Sequence, residues 1–285
     1  MHPLITPAEL AERLGSPTLR LFDCTTFLLP QPGTHRMRVE TGQRGYDEGH
    51  IPGAALIDLQ ADLSDPANGL RFTAPAPDDL ARRFQALGVG DDTEVVLYSA
   101  SDAWWATRVW WLLRAIGMDR AAVLDGGLRA WADEGRPLSR EPVRHPPAAS
   151  LSPRPRPVFT DRHGVQAAID QGSAVVVNCL RAEQHSGAAA LHYGRPGHIT
   201  GSINLPAAAL FDAAGRYLPP AALREVFAAR GIDARQPVIA YCGGGIAATG
   251  DAFALTALLG HEAVQVYDNS LQEWAADPAL PMSVG

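Results

Sequence analysis

The chain repeats itself, and that repeat narrows the folds open to it more than any other feature. Gly88, Ser99, Gly117 and Trp131 answer Gly231, Cys242, Gly260 and Trp274, each pair 143 positions apart. The surrounding stretches agree. Val95-Val96-Leu97-Tyr98 answers Val238-Ile239-Ala240-Tyr241, and Leu124-Asp125-Gly126-Gly127-Leu128 answers Tyr267-Asp268-Asn269-Ser270-Leu271. Gly49-His50-Ile51-Pro52-Gly53-Ala54 answers Gly197-His198-Ile199-Thr200-Gly201-Ser202 at 148 positions, so the halves differ by five residues of loop there. Self-similarity at a fixed period means one structural unit used twice. Whatever fold the first half takes, the second must take too, each around its own core. With 285 residues, 46% of them apolar, the chain is long enough for two such domains.

Within a unit, short apolar runs alternate with helical patterns. Thr6-Pro7-Ala8-Glu9 is a capping box with proline at the first helical position, opening a short helix to Leu14. Leu19–Asp23, Glu94–Tyr98 and Ala121–Leu124 read as buried strands, and 54–59 is a further apolar stretch. Residues 78–87 and 104–116 carry helical spacing. Residues 30–49 mix Pro, Gly, Thr, Arg and Glu without period and are expected to form a loop. Strands alternating with helices predict an α/β fold, each domain a largely parallel sheet flanked by helices. The composition breaks at 141–157, where six prolines and four basic residues interrupt all periodicity. That stretch reads as an extended linker between a domain at 1–140 and another at 158–285.

Charge and cysteine usage exclude several classes. A formal net charge of −7 gives no attraction to nucleic acid or to an anionic membrane surface. The apolar runs are too short to span a bilayer. The start, Met1-His2-Pro3-Leu4-Ile5-Thr6, has neither a basic n-region nor an apolar h-region, so a cytoplasmic protein is expected. Three cysteines, Cys24, Cys179 and Cys242, are odd in number and widely spaced, which speaks against a disulfide framework or a zinc site and for a reducing compartment.

The two halves part company at one point. In the second, the apolar run ending at Tyr241 leads into Cys242, then Gly243, Gly244 and Gly245, then Ile246, Ala247 and Ala248 at the start of a helical stretch. Three successive glycines cost backbone entropy and add no core. They make sense where the backbone must curl so that its N–H groups converge on an anion, with the helix start behind them. A cysteine at that entrance would have its thiolate stabilised by those donors and act as a nucleophile. The first half has Ser99-Ala100-Ser101-Asp102 instead, without thiol or glycines and with a negative charge where an anion should sit. One copy reads as active, the other as degenerate. Cys24 and Cys179 each follow an apolar strand, where burial is the default.

These residues resemble the two-domain rhodanese family, the thiosulfate and 3-mercaptopyruvate sulfurtransferases. The marks are Tyr46-Asp47-Glu48-Gly49-His50-Ile51-Pro52-Gly53-Ala54, Asp125-Gly126-Gly127-Leu128-Arg129-Ala130-Trp131, the linker, and the cysteine loop after Tyr241. The resemblance implies tandem rhodanese-like domains and a persulfide on Cys242 as covalent intermediate. It implies an active loop of Cys242, Gly243, Gly244, Gly245, Ile246 and Ala247 at the domain interface. The donor would be 3-mercaptopyruvate or thiosulfate, and the acceptor cyanide, a dithiol or a reduced thioredoxin-like protein, with no metal or organic cofactor. The uncharged loop is similar to the mercaptopyruvate type, although Gly244 lacks the hydroxyl usual there. The family's substrate arginine aligns with Gln184, so Arg181 and Arg195 are the nearby candidates to bind the donor's anion.

His50 and His198 sit alike in both halves, which favours a shared structural role. Of four tryptophans on one helix, Trp110 and Trp111 read as core, while Trp104 or Trp105 is placed to line the interdomain cleft. A cysteine-dependent phosphatase or arsenate reductase would need an arginine at the loop's end, where Ala247 and Ala248 stand. A persulfide carrier that does not turn over small donors is the other alternative, and steady-state turnover separates it from an enzyme.

Overall fold

The structure is a computed structural model, and it describes residues 1–31, 37–233 and 235–285. The strands in chain order are β1 (Leu4–Ile5), β2 (Leu19–Asp23), β3 (Thr26–Pro30), β4 (Met37–Thr41), β5 (Ala54–Leu56), β6 (Glu94–Tyr98) and β7 (Ala121–Leu124). They continue with β8 (Phe159–Thr160), β9 (Val175–Asn178), β10 (His198–Ile199), β11 (Ile203–Asn204), β12 (Val238–Tyr241), β13 (Val264–Tyr267) and β14 (Met282–Ser283). Two five-stranded sheets result, ordered β1-β7-β6-β2-β5 and β8-β13-β12-β9-β11. Every pairing within them is parallel. The orders correspond strand for strand, as the repeat requires. The central strands β6 and β12 are apolar without alternation because helices cover both faces of a parallel sheet.

The two units meet around a pseudo-two-fold axis. Helices Trp104–Ala115 and Ala247–Phe253, which follow the two central strands, pack against each other, with the Thr107 and Thr249 hydroxyls 2.9 Å apart. Each domain also reaches across with one aspartate. Asp125 Oδ1 accepts from the Tyr217 N–H at 2.9 Å, and Asp268 Oδ2 accepts from the Ala74 N–H at 2.7 Å. Donors and acceptors are both 143 positions apart, so the two bonds are one interaction made twice. The ends of β6 and β12 therefore face the same interface, at the carboxyl ends of strands where open α/β sheets bind ligands.

The region 30–49 corrects the expectation of a loop. β3 and β4 form an antiparallel hairpin, with Leu28 opposite Val39, and a helix Gln43–Glu48 follows; the stretch 32–36 lies outside the described residues. The hairpin lies apart from both sheets and is half-exposed, so its strands carry charged residues and lack a clean apolar run. Residues 141–157 contain neither helix nor strand. They run along the first domain, where the Ala148 N–H bonds to Gln85 O at 2.9 Å and the Arg154 N–H to Ile116 O at 2.7 Å. Among the described residues no helix is long and apolar enough to cross a membrane.

Candidate active site

β12 is fully buried and delivers Cys242 to the floor of the interdomain interface, only 2% exposed. The loop beyond it is held from below by Ser270. Ser270 Oγ accepts the N–H groups of Cys242 at 3.0 Å and Gly245 at 3.2 Å and donates to Tyr267 O at 2.7 Å. Its φ is +50°, a backbone region that disfavours side chains. The matching first-domain residue is Gly127, with φ +57°. Where the first domain relaxes that position with glycine, the second carries the strain and gains a hydroxyl under the loop.

Among the described residues no protein acceptor meets the N–H of Gly243, Gly244 or Ile246. Cys242, Gly243, Gly244, Ile246 and Ala247 line the cavity, whereas Gly245 and Ala248 do not. Gly245 packs on the chain, with φ +72° and space for a Cβ only 2.3 Å from Asp268 O; Ala248 is buried in the first turn of its helix. Gly243 lies beneath the Tyr193 ring, where a Cβ would meet Cζ at 1.8 Å. Gly244 is roomier, its nearest neighbour being the Gln272 side-chain nitrogen at 3.2 Å.

The counterpart loop in the first domain is closed on itself. Ser99 Oγ accepts the Ser101 N–H at 3.1 Å, and Thr25 Oγ1 accepts the Ala100 N–H at 2.8 Å. Burial raises the nearby Asp102 carboxyl above its usual range, an effect Arg181 opposes.

The cavity above Cys242 holds about 790 Å³ and is walled mainly by apolar groups, among them Phe27, Leu28 and Met37 of the hairpin and Trp104 and Trp105 of the interdomain helix. Among the described residues two arginines line it, Arg71 and Arg181. Arg71 comes from the first domain. Its backbone exchanges hydrogen bonds with the Gln272 side chain at 3.2 and 2.8 Å, and its guanidinium donates to Met37 O at 2.7 Å. Burial raises the Tyr193 hydroxyl far above its usual range, as does Cys242, and Arg71 opposes both.

Arg195 is not in the cavity. Its guanidinium donates to the carbonyls of Trp274, Ala275, Asp277 and Leu280 at 2.7–3.1 Å. The chain after the short helix Ser270–Trp274 leaves a cluster of carbonyls without helical partners, and a guanidinium fork meets several at once. Of the two arginines chosen from sequence, the fold brings only Arg181 to the site.

Arg71, Ser270 and Arg108 escaped the sequence reading, and nothing local in the sequence marks Arg71. Ser270 was aligned with Gly127 in the repeat, and a serine standing for an αL glycine was the available signal. Arg108 sits in the tryptophan-rich helix and is completely buried. It pairs with Asp268 at 2.6 Å, donates to Gly245 O at 3.2 Å, and bonds Phe72 O. The first domain thus grips the cysteine loop of the second. His50 and His198 have the structural role expected of them. His50 stacks on Tyr46 at 3.8 Å and bonds Tyr46 O, and His198 stacks on His185 at 3.7 Å and bonds His185 O.

Two open parallel sheets related by a pseudo-two-fold, with a cysteine loop at the end of one central strand, define a tandem α/β architecture with a single thiol site. The rhodanese-like domain family matches residues 6–134 and 158–277, and the chain belongs to that family. A "Probable 3-mercaptopyruvate sulfurtransferase" of Pseudomonas aeruginosa is 34% identical over 99% of this chain and 98% of its own length. A thiosulfate sulfurtransferase of Rattus norvegicus is 31% identical over 99% of this chain and 95% of its own. The crystal structure of SseA from Escherichia coli, described among 3-mercaptopyruvate sulfotransferases, superposes with a TM-score of 0.80 at 27% identity, covering 95% of this chain and 99% of that one.

Proposed function

We propose that this chain, a sulfurtransferase of the rhodanese-like family, moves a sulfane sulfur through a persulfide on Cys242. The observation that carries the reading is a cysteine at the cavity floor beside three backbone N–H groups with no protein acceptor. The Cys242 thiolate attacks the sulfur of the donor. With 3-mercaptopyruvate the carbon–sulfur bond breaks and the pyruvate enolate leaves; with thiosulfate the sulfur–sulfur bond breaks and sulfite leaves. Negative charge on the transferred sulfur is met by the N–H groups of Gly243, Gly244 and Ile246, fixed in place before the reaction. Cyanide, a dithiol or a reduced thioredoxin-like protein then removes the outer sulfur. The first domain, with Ser99 in place of the thiol and its loop N–H groups engaged, does not take part in bond making. Three free cysteines fit a reducing, cytoplasmic setting.

The cavity favours 3-mercaptopyruvate over thiosulfate. The loop carries no cation, and Tyr193 over Gly243 leaves no room for one there. Desolvating a small dianion without cations beside the sulfur is costly. A monocarboxylate donor can place its charge on Arg181 or Arg71 and its body against the apolar walls. The test is kcat/KM for both donors on wild type and on Cys242→Ser, with peptide masses after donor alone. We expect 3-mercaptopyruvate to win, Cys242→Ser to be inactive, and a gain of about 32 Da, one sulfur, on the Cys242 peptide. Arg181→Lys or Arg71→Lys, whichever is the clamp, should lower kcat/KM by about 1–3 kcal/mol. Label on the Cys24 peptide, or thiosulfate used more efficiently, would overturn the corresponding assignment.

A further inference from the structure

The reaction just described uses one cysteine, yet a second lies beside it. β9 and β12 pair in parallel with Asn178 opposite Tyr241. Cys179 and Cys242 are the next residues beyond this last pair, and the Cys179 N–H closes the ladder on Tyr241 O at 2.8 Å. Residues paired across parallel strands point to the same face, and adjacent strands lie about 4.7–4.9 Å apart. That spacing falls within the Cα separation a disulfide bridges, about 4.4–6.8 Å. Both cysteines line the same cavity. Burial pushes the Cys179 thiol well above its usual range, as do Asp251 and Cys242 close by.

A further buried group faces Cys179. The Asp251 side chain is 1% exposed, and neither carboxyl oxygen has a hydrogen-bond partner. Burial keeps this carboxyl protonated well above the usual carboxylate range, and the Cys179 thiol is the polar side chain that acts on it most. A buried polar group without a partner costs stability, and natural chains keep few of them. Here the buried carboxyl lies close enough to the Cys179 thiol for each to act on the other, while the thiol itself donates to Val177 O at 3.7 Å.

The geometry points to Cys179 as a resolving thiol that discharges the Cys242 persulfide within the protein, releasing hydrosulfide and leaving a Cys179–Cys242 disulfide. The inference rests on the persulfide reading above. In the step, Cys179 Sγ attacks Cys242 Sγ, a new sulfur–sulfur bond forms, and the bond to the outer sulfur breaks. The outer sulfur leaves as hydrosulfide carrying the proton of the Cys179 thiol. Two cysteine sulfurs are oxidised to a disulfide and the sulfane sulfur is reduced to sulfide, so no other oxidant or reductant enters. A dithiol then reduces the disulfide and restores both thiols. The reaction class that consumes the product is one that takes up free hydrosulfide rather than protein-bound sulfur.

The experiment uses the full chain, pre-reduced, freed of thiol and held anaerobic, with one equivalent of 3-mercaptopyruvate or of thiosulfate and no acceptor. Pyruvate or sulfite, sulfide, and alkylated peptide masses are followed together. In the wild type, donor product should be matched by sulfide and by a cross-linked peptide pair carrying Cys179 and Cys242. In Cys179→Ser the added sulfur should stay on Cys242, and sulfide release should slow about tenfold or more. Should Cys179→Ser not fold, the wild-type peptide map decides alone. Donor product with a persistent Cys242 persulfide and no cross-link overturns the resolving role while leaving the persulfide reading standing. Absence of donor product with either donor overturns both.

Discussion

Ser270 carries two opposing terms in one residue. A side chain at φ +50° costs roughly 1 kcal/mol compared with glycine. Against that, its hydroxyl satisfies the buried N–H groups of Cys242 and Gly245, and a buried donor without an acceptor costs about 1–3 kcal/mol. The hydroxyl wins. Ser270→Gly removes both terms, whereas Ser270→Ala keeps the strain and loses the bonds. Urea melts should therefore rank wild type above Ser270→Gly and Ser270→Gly above Ser270→Ala. Both variants should lower kcat, because the reactive loop loses its support. An alanine variant as stable as wild type would show that the hydroxyl contributes nothing.

At the level of elements, the loop's glycines are not equivalent. A Cβ at Gly243 meets the Tyr193 ring, while one at Gly244 meets only the flexible end of Gln272. Gly244→Ser should fold normally and keep activity, and Gly243→Ala should lose stability by about 1–3 kcal/mol, the cost of overpacking. Combining Gly243→Ala with Tyr193→Ala should recover much of that loss in a double-mutant cycle; no coupling would mean the ring moves aside freely.

The stacked pair His185 and His198 sets a pH dependence. Burial, together with His198, lowers the His185 pKa from 6.5 to about 4, and its Nδ1 has no hydrogen-bond partner. A folded pKa below the unfolded one means the unfolded chain binds more protons between those values. Stability is then complete above pH 6.5 and falls as pH drops from 6.5 towards about 4. In His185→Asn the part of that slope due to this ring should vanish when stability is measured by denaturant at stepped pH. An unchanged slope would place the acid sensitivity elsewhere.

For the molecule as a whole, Arg108 joins the domains to the chemistry. Its ion pair with Asp268 is buried, and Asp268 also holds the Ala74 N–H across the interface. Removing one partner of a buried pair leaves an uncompensated charge, at about 3–5 kcal/mol. Arg108→Met should be destabilised by that order and lose activity, through the freed Gly245 carbonyl and the loosened loop. Adding Asp268→Asn should return part of the stability and little of the activity. If Arg108→Met alone keeps full turnover, the domain contact has no bearing on the loop.

The sequence alone determined the duplication, the α/β class, the strands and helices around the central runs, and it singled out Cys242 as the candidate nucleophile. Those are local or periodic properties: apolar spacing, a cysteine followed by three glycines, and a fixed offset of 143 that aligns Ser99 with Cys242. The hairpin of β3 and β4 escaped because a half-exposed ribbon has no core face to impose a pattern. Only the tertiary structure decided which cations reach the site. Arg195 and Arg181 look alike in sequence, but Arg195 spends its donors on carbonyls beyond the helix Ser270–Trp274, and Arg71 arrives from the other domain. Cys179, 63 positions before Cys242, becomes its neighbour only when β9 pairs with β12. Contacts of that kind depend on strand register and domain packing, which no local stretch of sequence encodes.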